Sequence, residues 1–511
     1  MSDWTEGYLT DVEYSHAYNK ELNPLVVRLA LLAAGLSPPS FGAACELGFG
    51  QGLSINLHAA TSTTEWWGTD FNPAQVGFAH ELRAASGVDV KLFDEAFTDF
   101  VHRTDLPDFD FIGMHGIWSW VSPENQALLT DFIRRKLKVR GILYNGYNVA
   151  PGWASFAPIR QLMAEHAALS GAAGGGKLNV LKGTLEFVER FLATNPAFRR
   201  ANPMVVDRFD GLKGKDPHYL VHELLNGHWQ PSYFTTMVEA LSPARLSFAC
   251  SASYFEHFDP LNVTAEQWSL LQSVPDGPFR QSLRDFMINQ QFRRDYWAKG
   301  ARRLTPLQQA EAISAERLVL ISHRPKVELK IKAPVGELTL HAPVYDPVLD
   351  LFADHQPKTI GEIAGAMQAR NVSLKQVVEA VMVLAGAGHL ASAQDEAMIG
   401  RVRSPAKRLN DDFLDRARSA GDANYLASPV TGGGIGATRL VQNFLLGHRK
   451  GRKTPAELSE FVWQMLETQG QKLIREGQTL ETREASFAVL MPQSTSFVDE
   501  QLPILKSLQI E

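Results

Sequence analysis

CELGFGQGLSINL, residues 45–57, and WWGTDFNPAQV, residues 66–76, read together as strand, glycine loop, helix, strand and helix. An apolar run enters Glu46-Leu47-Gly48, and glycines recur at positions 50 and 52 before a helical pattern begins. Glycines at such a turn let the backbone pass close to a ligand with no Cβ in the way. Asp70 follows Gly52 at the end of a second short apolar run. A carboxylate at that place binds the diol of a ribose. Glu46 separates two kinds of ligand. A carboxylate just before the first glycine is unwelcome to the pyrophosphate of a dinucleotide. It tolerates a cationic ligand with an amino-acid moiety, of which S-adenosylmethionine is one. The competing reading at this point is a glycine-rich turn in an unrelated α/β domain.

Working outward, the first 150 residues alternate strand and helix signals. PLVVRLALLAAGL, residues 24–36, is an apolar helix ending at Gly35. Strands are expected at 42–48, 65–70, 88–93, 108–115 and 141–145. Helices are expected at 53–61, at 73–86 behind the Asn72-Pro73 cap, and at 124–138. This alternation implies a parallel sheet with helices on both faces and a ligand crevice at the C-terminal strand ends. The glycine loop, Asp70, Asp94, His115 and Tyr147 follow strands one to five, so five features fall on one edge.

Beyond residue 155 a helical insertion is expected at about 156–215, broken by GAAGGGK at 171–177. SFACSASY, residues 247–254, reads as a strand rejoining the first sheet, which closes a core unit at 1–260. Residues 261–325 read as a helical connection. Within it FRRDYWAKGARR, 292–303, reads as a solvated basic helix face. Residues 326–400 follow the order of a winged helix, ending in a short strand pair. SLKQVVEAVMVLAGAGHL, residues 373–390, stands in the place of a recognition helix but is poor in cations, so packing or protein contact is expected of it. Residues 401–511 read as mainly helical, with GGG at 432–434 as a loop. The fold class is therefore α/β: a Rossmann-like core with a helical insertion, a winged-helix-like middle domain and a mainly helical C-terminal domain.

The net charge of −6 and a pI of about 6.2 give no general attraction to nucleic acid or to an anionic membrane. No run is apolar for long enough to span a bilayer. The N-terminal MSDWTEGYLTDVEY lacks the apolar core of a secretion signal. Cys45 and Cys250 sit in separate apolar runs and read as buried thiols of a reducing compartment. A cytoplasmic enzyme is the expectation.

CELGFGQG and TEWWGTDFNPAQV resemble the first two motifs of class I S-adenosylmethionine-dependent methyltransferases. FDFIGMHGIWSWVSPENQALL, 109–129, and YNGYNVAPGWASFAPIRQLM, 144–163, are more specific. They resemble bacterial methyltransferases that carry a methyltransferase regulatory domain, a group that includes rickettsial protein-lysine methyltransferases acting on outer-membrane protein. Tyr14, Tyr18, Pro24 and Arg28 fit the N-terminal pattern of that family. HYLVHELLNGHWQPSYF, 218–234, and YLASPVTGGGI, 425–435, fit its later parts, so most of the chain is covered. The family often has Thr-His-Pro before its N-terminal helix, whereas Leu22-Asn23-Pro24 stands here.

The resemblance implies S-adenosyl-L-methionine as cofactor, with S-adenosyl-L-homocysteine as product, and a protein substrate methylated on lysine. The alternative is a small-molecule O- or N-methyltransferase whose later domains serve as lid or dimer surface. A third possibility is a donor-binding regulator without catalysis; a homodimer is also open. Cofactor contacts are expected from Tyr18, Glu46, Gly48, Gly50, Gly52, Asp70, Phe71, Asp94, Glu95 and His115, with Asp94 preferred for the adenine amino group. Methyl transfer from a sulfonium is an in-line displacement, so the protein mainly has to align its reactants. Acceptor-side groups are expected from His115, Trp118, Tyr147, Asn148 and Trp153, with Trp120 and Tyr144 as neighbours. Metal binding is not expected, because His218, His222 and Glu223 lack the order of a zinc-protease helix.

Overall fold

The computed structural model describes residue 12 and residues 16–170, 176–475 and 478–511. Tyr14 and the GAAGG part of the expected 171–177 turn lie outside the described residues. The core is a seven-stranded sheet made of β1 (Ala43–Leu47), β2 (Glu65–Asp70), β3 (Lys91–Asp94), β4 (Phe109–His115), β5 (Leu137–Asn148), β6 (Ser247–Ser251) and β7 (Phe292–Ala298). Their order is β3-β2-β1-β4-β5-β7-β6. Strands β1 to β5 pair in parallel, whereas β7 runs antiparallel to both β5 and β6. The order reverses between β1 and β4, and at such a switch point the connecting loops part to leave a crevice. β1 is buried along its whole length, as a strand covered by helices on both faces must be.

The helices that position the site begin where their caps dictate. α1 (Pro24–Ala33) is capped by the side chain of Asn23, which accepts from the backbone N–H of Leu25. α2 (Leu53–Thr61) starts from Gly52 in a left-handed conformation. α3 (Pro73–Ser86) starts behind Asn72, whose side chain accepts from the N–H of Ala74 at 3.1 Å. A side-chain acceptor before a first-turn proline satisfies one of the N–H groups that a helix start leaves free.

The expected basic helix face at 292–303 is the largest departure from the sequence reading, because residues 292–298 form β7 in the interior of the sheet. Its charges pair within the core. Arg293, 1 % exposed, donates from Nε to Asp285 at 3.0 Å and from Nη1 to Asp295 at 3.1 Å. Nη2 donates to Gln281 at 2.8 Å, and the guanidinium lies over the Phe234 ring, 4.3 Å from its centroid. The sheet therefore runs past residue 260, and residues 261–325 are not a helical connection: they hold three helices and two strands.

Next come β8 (Arg317–Leu320) and a hairpin of β9 (Lys330–Ala333) and β10 (Gly336–Thr339). Helix Ala342–Leu351, β11 (Lys358–Thr359), helices Ile360–Met367 and Leu374–Gly386, and β12 (Leu390–Ala393) complete the winged-helix-like part. Its sheet has the order β11-β8-β12, so β8, from upstream of residue 326, stands where a strand pair after the last helix was expected. Helix Leu374–Gly386 buries Val377, Ala380, Val381 and Leu384 and packs on the turn Tyr254–His257.

The C-terminal part opens with helix Glu396–Arg416, which lies across α2 and α3. A hairpin of β13 (Tyr425–Ser428) and β14 (Gly433–Gly436) then packs on α2. The expected GGG loop is the end of its turn and the start of β14. A Cβ on Gly433 would meet the Tyr18 hydroxyl at 2.1 Å, so only glycine admits that ring. Asn23 fastens the same hairpin by donating to the carbonyls of Thr431 and Gly432 at 3.1 and 3.2 Å. Among the described residues no helix is long and apolar enough to cross a membrane.

Candidate active site

On the donor side, Gly48, Gly50 and Gly52 all take left-handed angles, with φ of 68°, 59° and 69°. Side chains are strained there, which is why three glycines alternate in this turn. The N–H of Gly48 donates to the Thr69 carbonyl at 2.9 Å, and that of Gly50 to Asp70 Oδ2 at 2.8 Å. The other Asp70 oxygen accepts from the N–H of Asn72 at 3.0 Å. Asp70 thus ties the loop to the end of β2. A carboxylate has about four lone-pair positions, so each oxygen can still accept a hydroxyl.

Glu46 is 3 % exposed, and its Oε2 has no hydrogen-bond partner. Burial, with Asp70 adding to it, raises its carboxyl to about 8. Burial also raises Asp70 to about 7 against the N–H groups of Asn72 and Gly50. A buried carboxylate without a partner suits a ligand that brings a cation. The residues at this edge therefore fit a ligand with a ribose and a cationic amino-acid end.

The other expected donor residues are more dispersed. Asp94 pairs in register with Asp70 and is exposed at the sheet edge. Glu95 is held by Arg103 at 2.6 Å. Phe71 is half-buried beside Asp70. Tyr18 is not on the glycine loop. Its hydroxyl meets His58 Nε2 at 3.1 Å, and its ring packs on Tyr425 of the C-terminal hairpin.

On the acceptor side a cavity of about 470 Å³ opens at the ends of β4 and β5. His115, Trp120, Asn148 and Trp153 line it. His115 stacks on Tyr144, with Nδ1 2.7 Å from the phenol oxygen. Burial, helped by Arg294 and opposed by Glu21, pushes the imidazole down to about 4, so it is neutral at neutral pH. Gly152 brings the Pro-Gly-Trp turn against the chain entering β7, where a Cβ would come within 2.3 Å of the Gln290 carbonyl oxygen. The Trp153 indole then donates to the Gln291 carbonyl at 3.0 Å, and Arg208 lies over its ring at 4.1 Å.

Two expected acceptor residues are elsewhere. Trp118 is 2 % exposed and packs in the core cluster with Leu129 and Phe132. The short 3-10 turn 118–120 turns it inward while Trp120 faces the cavity. Tyr147 is fully buried, and its hydroxyl donates to Asp295 at 2.9 Å. Side chains alternate along a strand, so Tyr144 and Asn148 share one face of β5 and Tyr147 takes the other. Tyr147→Phe is expected to cost about 1–3 kcal/mol of stability through the lost bond to Asp295. Turnover should stay nearly unchanged. Urea titration beside an activity assay checks this, and lost turnover at undiminished stability would contradict it.

Arg208, Lys215, Tyr219, Glu223, Phe292 and Arg294 also line the cavity and were not expected. They come from the helical insertion, from the helix Pro217–Leu225 that follows it and from β7; the stretches 218–234 and 292–303 contain four of them, but nothing local in either marks a cavity residue. Among the described residues no group of three or more histidine, cysteine, aspartate or glutamate side chains could hold a metal ion.

Residues 216–299 match the family model described as a predicted methyltransferase regulatory domain. That segment supplies β6, β7 and one wall of the acceptor cavity. The chain is 33% identical to the uncharacterized protein sll1526 of Synechocystis over 99% of both chains. It is 27% identical to the uncharacterized protein RP028 of Rickettsia prowazekii, over 44% of this chain and 88% of that one. Among solved structures, PKMT2 from Rickettsia typhi in complex with AdoHcy shares the fold with a TM-score of 0.69 at 17% identity, covering 97% of this chain and 99% of that one. The glycine loop, the switch-point crevice and these relatives agree: the chain belongs to the class I S-adenosylmethionine-dependent methyltransferases that carry a methyltransferase regulatory domain.

Proposed function

We propose that this chain transfers a methyl group from S-adenosylmethionine to the side-chain amine of lysine in a protein substrate. The observation that carries the reading is the aromatic cavity at the ends of β4 and β5, the two strands that continue the sheet from the glycine-loop strand β1. The likeness to the PKMT2 fold, solved with AdoHcy, supports it. S-adenosylmethionine supplies a methyl group already activated on a sulfonium.

The chain's own residues bind and align. The Gly48–Gly52 turn and Asp70 hold the ribose end, and Glu46 meets the cationic end. Asp94 and Glu95, with Phe71, lie towards the adenine end. Trp120, Trp153 and Phe292 give the acceptor an aromatic approach along which an amine can shed hydration before attack. His115 and Asn148 border the place where the two reactants meet.

The test is transfer of labelled methyl from S-adenosylmethionine into a lysate of the native host, separated by size. Label in the protein fraction is expected. Label confined to small molecules would instead favour a small-molecule O- or N-methyltransferase.

A further inference from the structure

Glu223 is the one carboxylate among the described residues that line the acceptor cavity. It lies on helix Pro217–Leu225, one turn after Tyr219, whose hydroxyl is hydrogen-bonded to its carboxylate. Lys215, Arg160 and Arg208 surround it. Two of these cations are engaged elsewhere. Arg208 donates to the Gly152 carbonyl and covers the Trp153 ring. Arg160 donates to the Asn226 carbonyl at 2.7 Å and covers Trp229. The helix thus presents the cavity's one carboxylate to a lining of Trp120, Trp153, Phe156 and Phe292 that also carries Lys215, Arg208 and Arg294, the last paired with Glu21 at 3.5 Å.

We propose that Glu223 receives the incoming lysine ammonium and takes its proton, so that the amine reaches the methyl donor neutral. This rests on the reading that the acceptor is lysine. The proton passes from nitrogen to a carboxylate oxygen, leaving a free lone pair on nitrogen. That pair forms the new bond to the methyl carbon as the carbon–sulfur bond breaks, and the bonding electrons return to sulfur. The product is a methylammonium and a neutral thioether. Burial raises the Glu223 carboxyl against the pull of Tyr219 and the nearby cations, which makes it a better proton acceptor.

The experiment uses the full chain and Nα-acetyl-lysine methylamide as probe, followed by fluorescence of the cavity tryptophans Trp120 and Trp153. Glu223→Gln is expected to weaken probe binding roughly tenfold or more through the lost charged hydrogen bond. The norleucine analogue should bind wild type and variant alike. Methyl transfer to lysine should fall about a hundredfold at neutral pH. It should recover as pH rises toward the amine's own pKa of about 10.4. Glu223→Asp, which keeps the charge, should retain probe binding while losing turnover.

A Gln variant that binds the lysine probe like wild type and follows the wild-type pH profile overturns the proposal. If lysine is methylated and the variant is indifferent, the role of Glu223 fails alone. If wild type methylates only hydroxyl or carboxyl acceptors, the lysine reading fails and the proposal falls with it.

Discussion

Asp295→Ala is expected to destabilise the chain by about 3–5 kcal/mol, the cost of leaving a buried charge without its partner. Asp295 is fully buried and accepts from both Arg293 and Tyr147. Its loss strips one partner from a guanidinium that is 1 % exposed. Asp285 and Gln281 remain, but the position between Arg293 and Tyr147 is emptied. Replacing Arg293, Asp285 and Asp295 together by apolar residues should cost less than Asp295→Ala, because no unpaired charge stays behind. Denaturation midpoints of both variants check this. An unchanged midpoint for Asp295→Ala would show that the cluster does not hold β7 in place.

The second large effect is expected at the donor site. Asp70→Ala should remove both ribose hydrogen bonds, each worth roughly 1.5–3 kcal/mol when charge-assisted. Calorimetry should show donor affinity falling by about two to four powers of ten. Unchanged affinity would refute the assignment of Asp70. The raised carboxyls of Glu46 and Asp70, at about 8 and about 7, add a pH signature. A cationic ligand favours their ionised forms, so binding releases protons and affinity rises as pH climbs through 7 to 8. Glu46→Gln should flatten that rise. In the free chain the sign reverses. The unfolded Glu46 ionises near 4.5 while the folded one stays protonated, so its contribution lowers stability as pH rises from there to about 8.

The donor half was legible because local chemistry dictates it. A turn with three left-handed residues needs glycines, and a strand-end carboxylate is visible one residue at a time. The strands β1 to β4 and the helices between them were legible for a similar reason: buried parallel strands are continuous apolar runs, and α3 carries its own cap. β7 was not legible, because Arg293, Arg294 and Asp295 look solvated until their partners are known. Asp285 and Tyr147 come from other elements, and only the fold brings them together. Tyr147 was misplaced because its neighbours Tyr144 and Asn148 occupy the cavity face, and one step along a strand changes the face. Arg208 reaches the site from the insertion and Glu223 from the helix that follows it, both far from the glycine loop in sequence. The GGG of 432–434 signalled a loop, yet those glycines are small so that a strand can lie on Tyr18 and α2.

Lysine methylation of protein is tested most directly by amino-acid analysis of the acceptor that takes up label from S-adenosylmethionine. After acid hydrolysis the label should be recovered as methylated lysine, and Asp70→Ala should abolish it. Label recovered in another amino acid, released by base as methanol, or found only in small molecules would contradict the account.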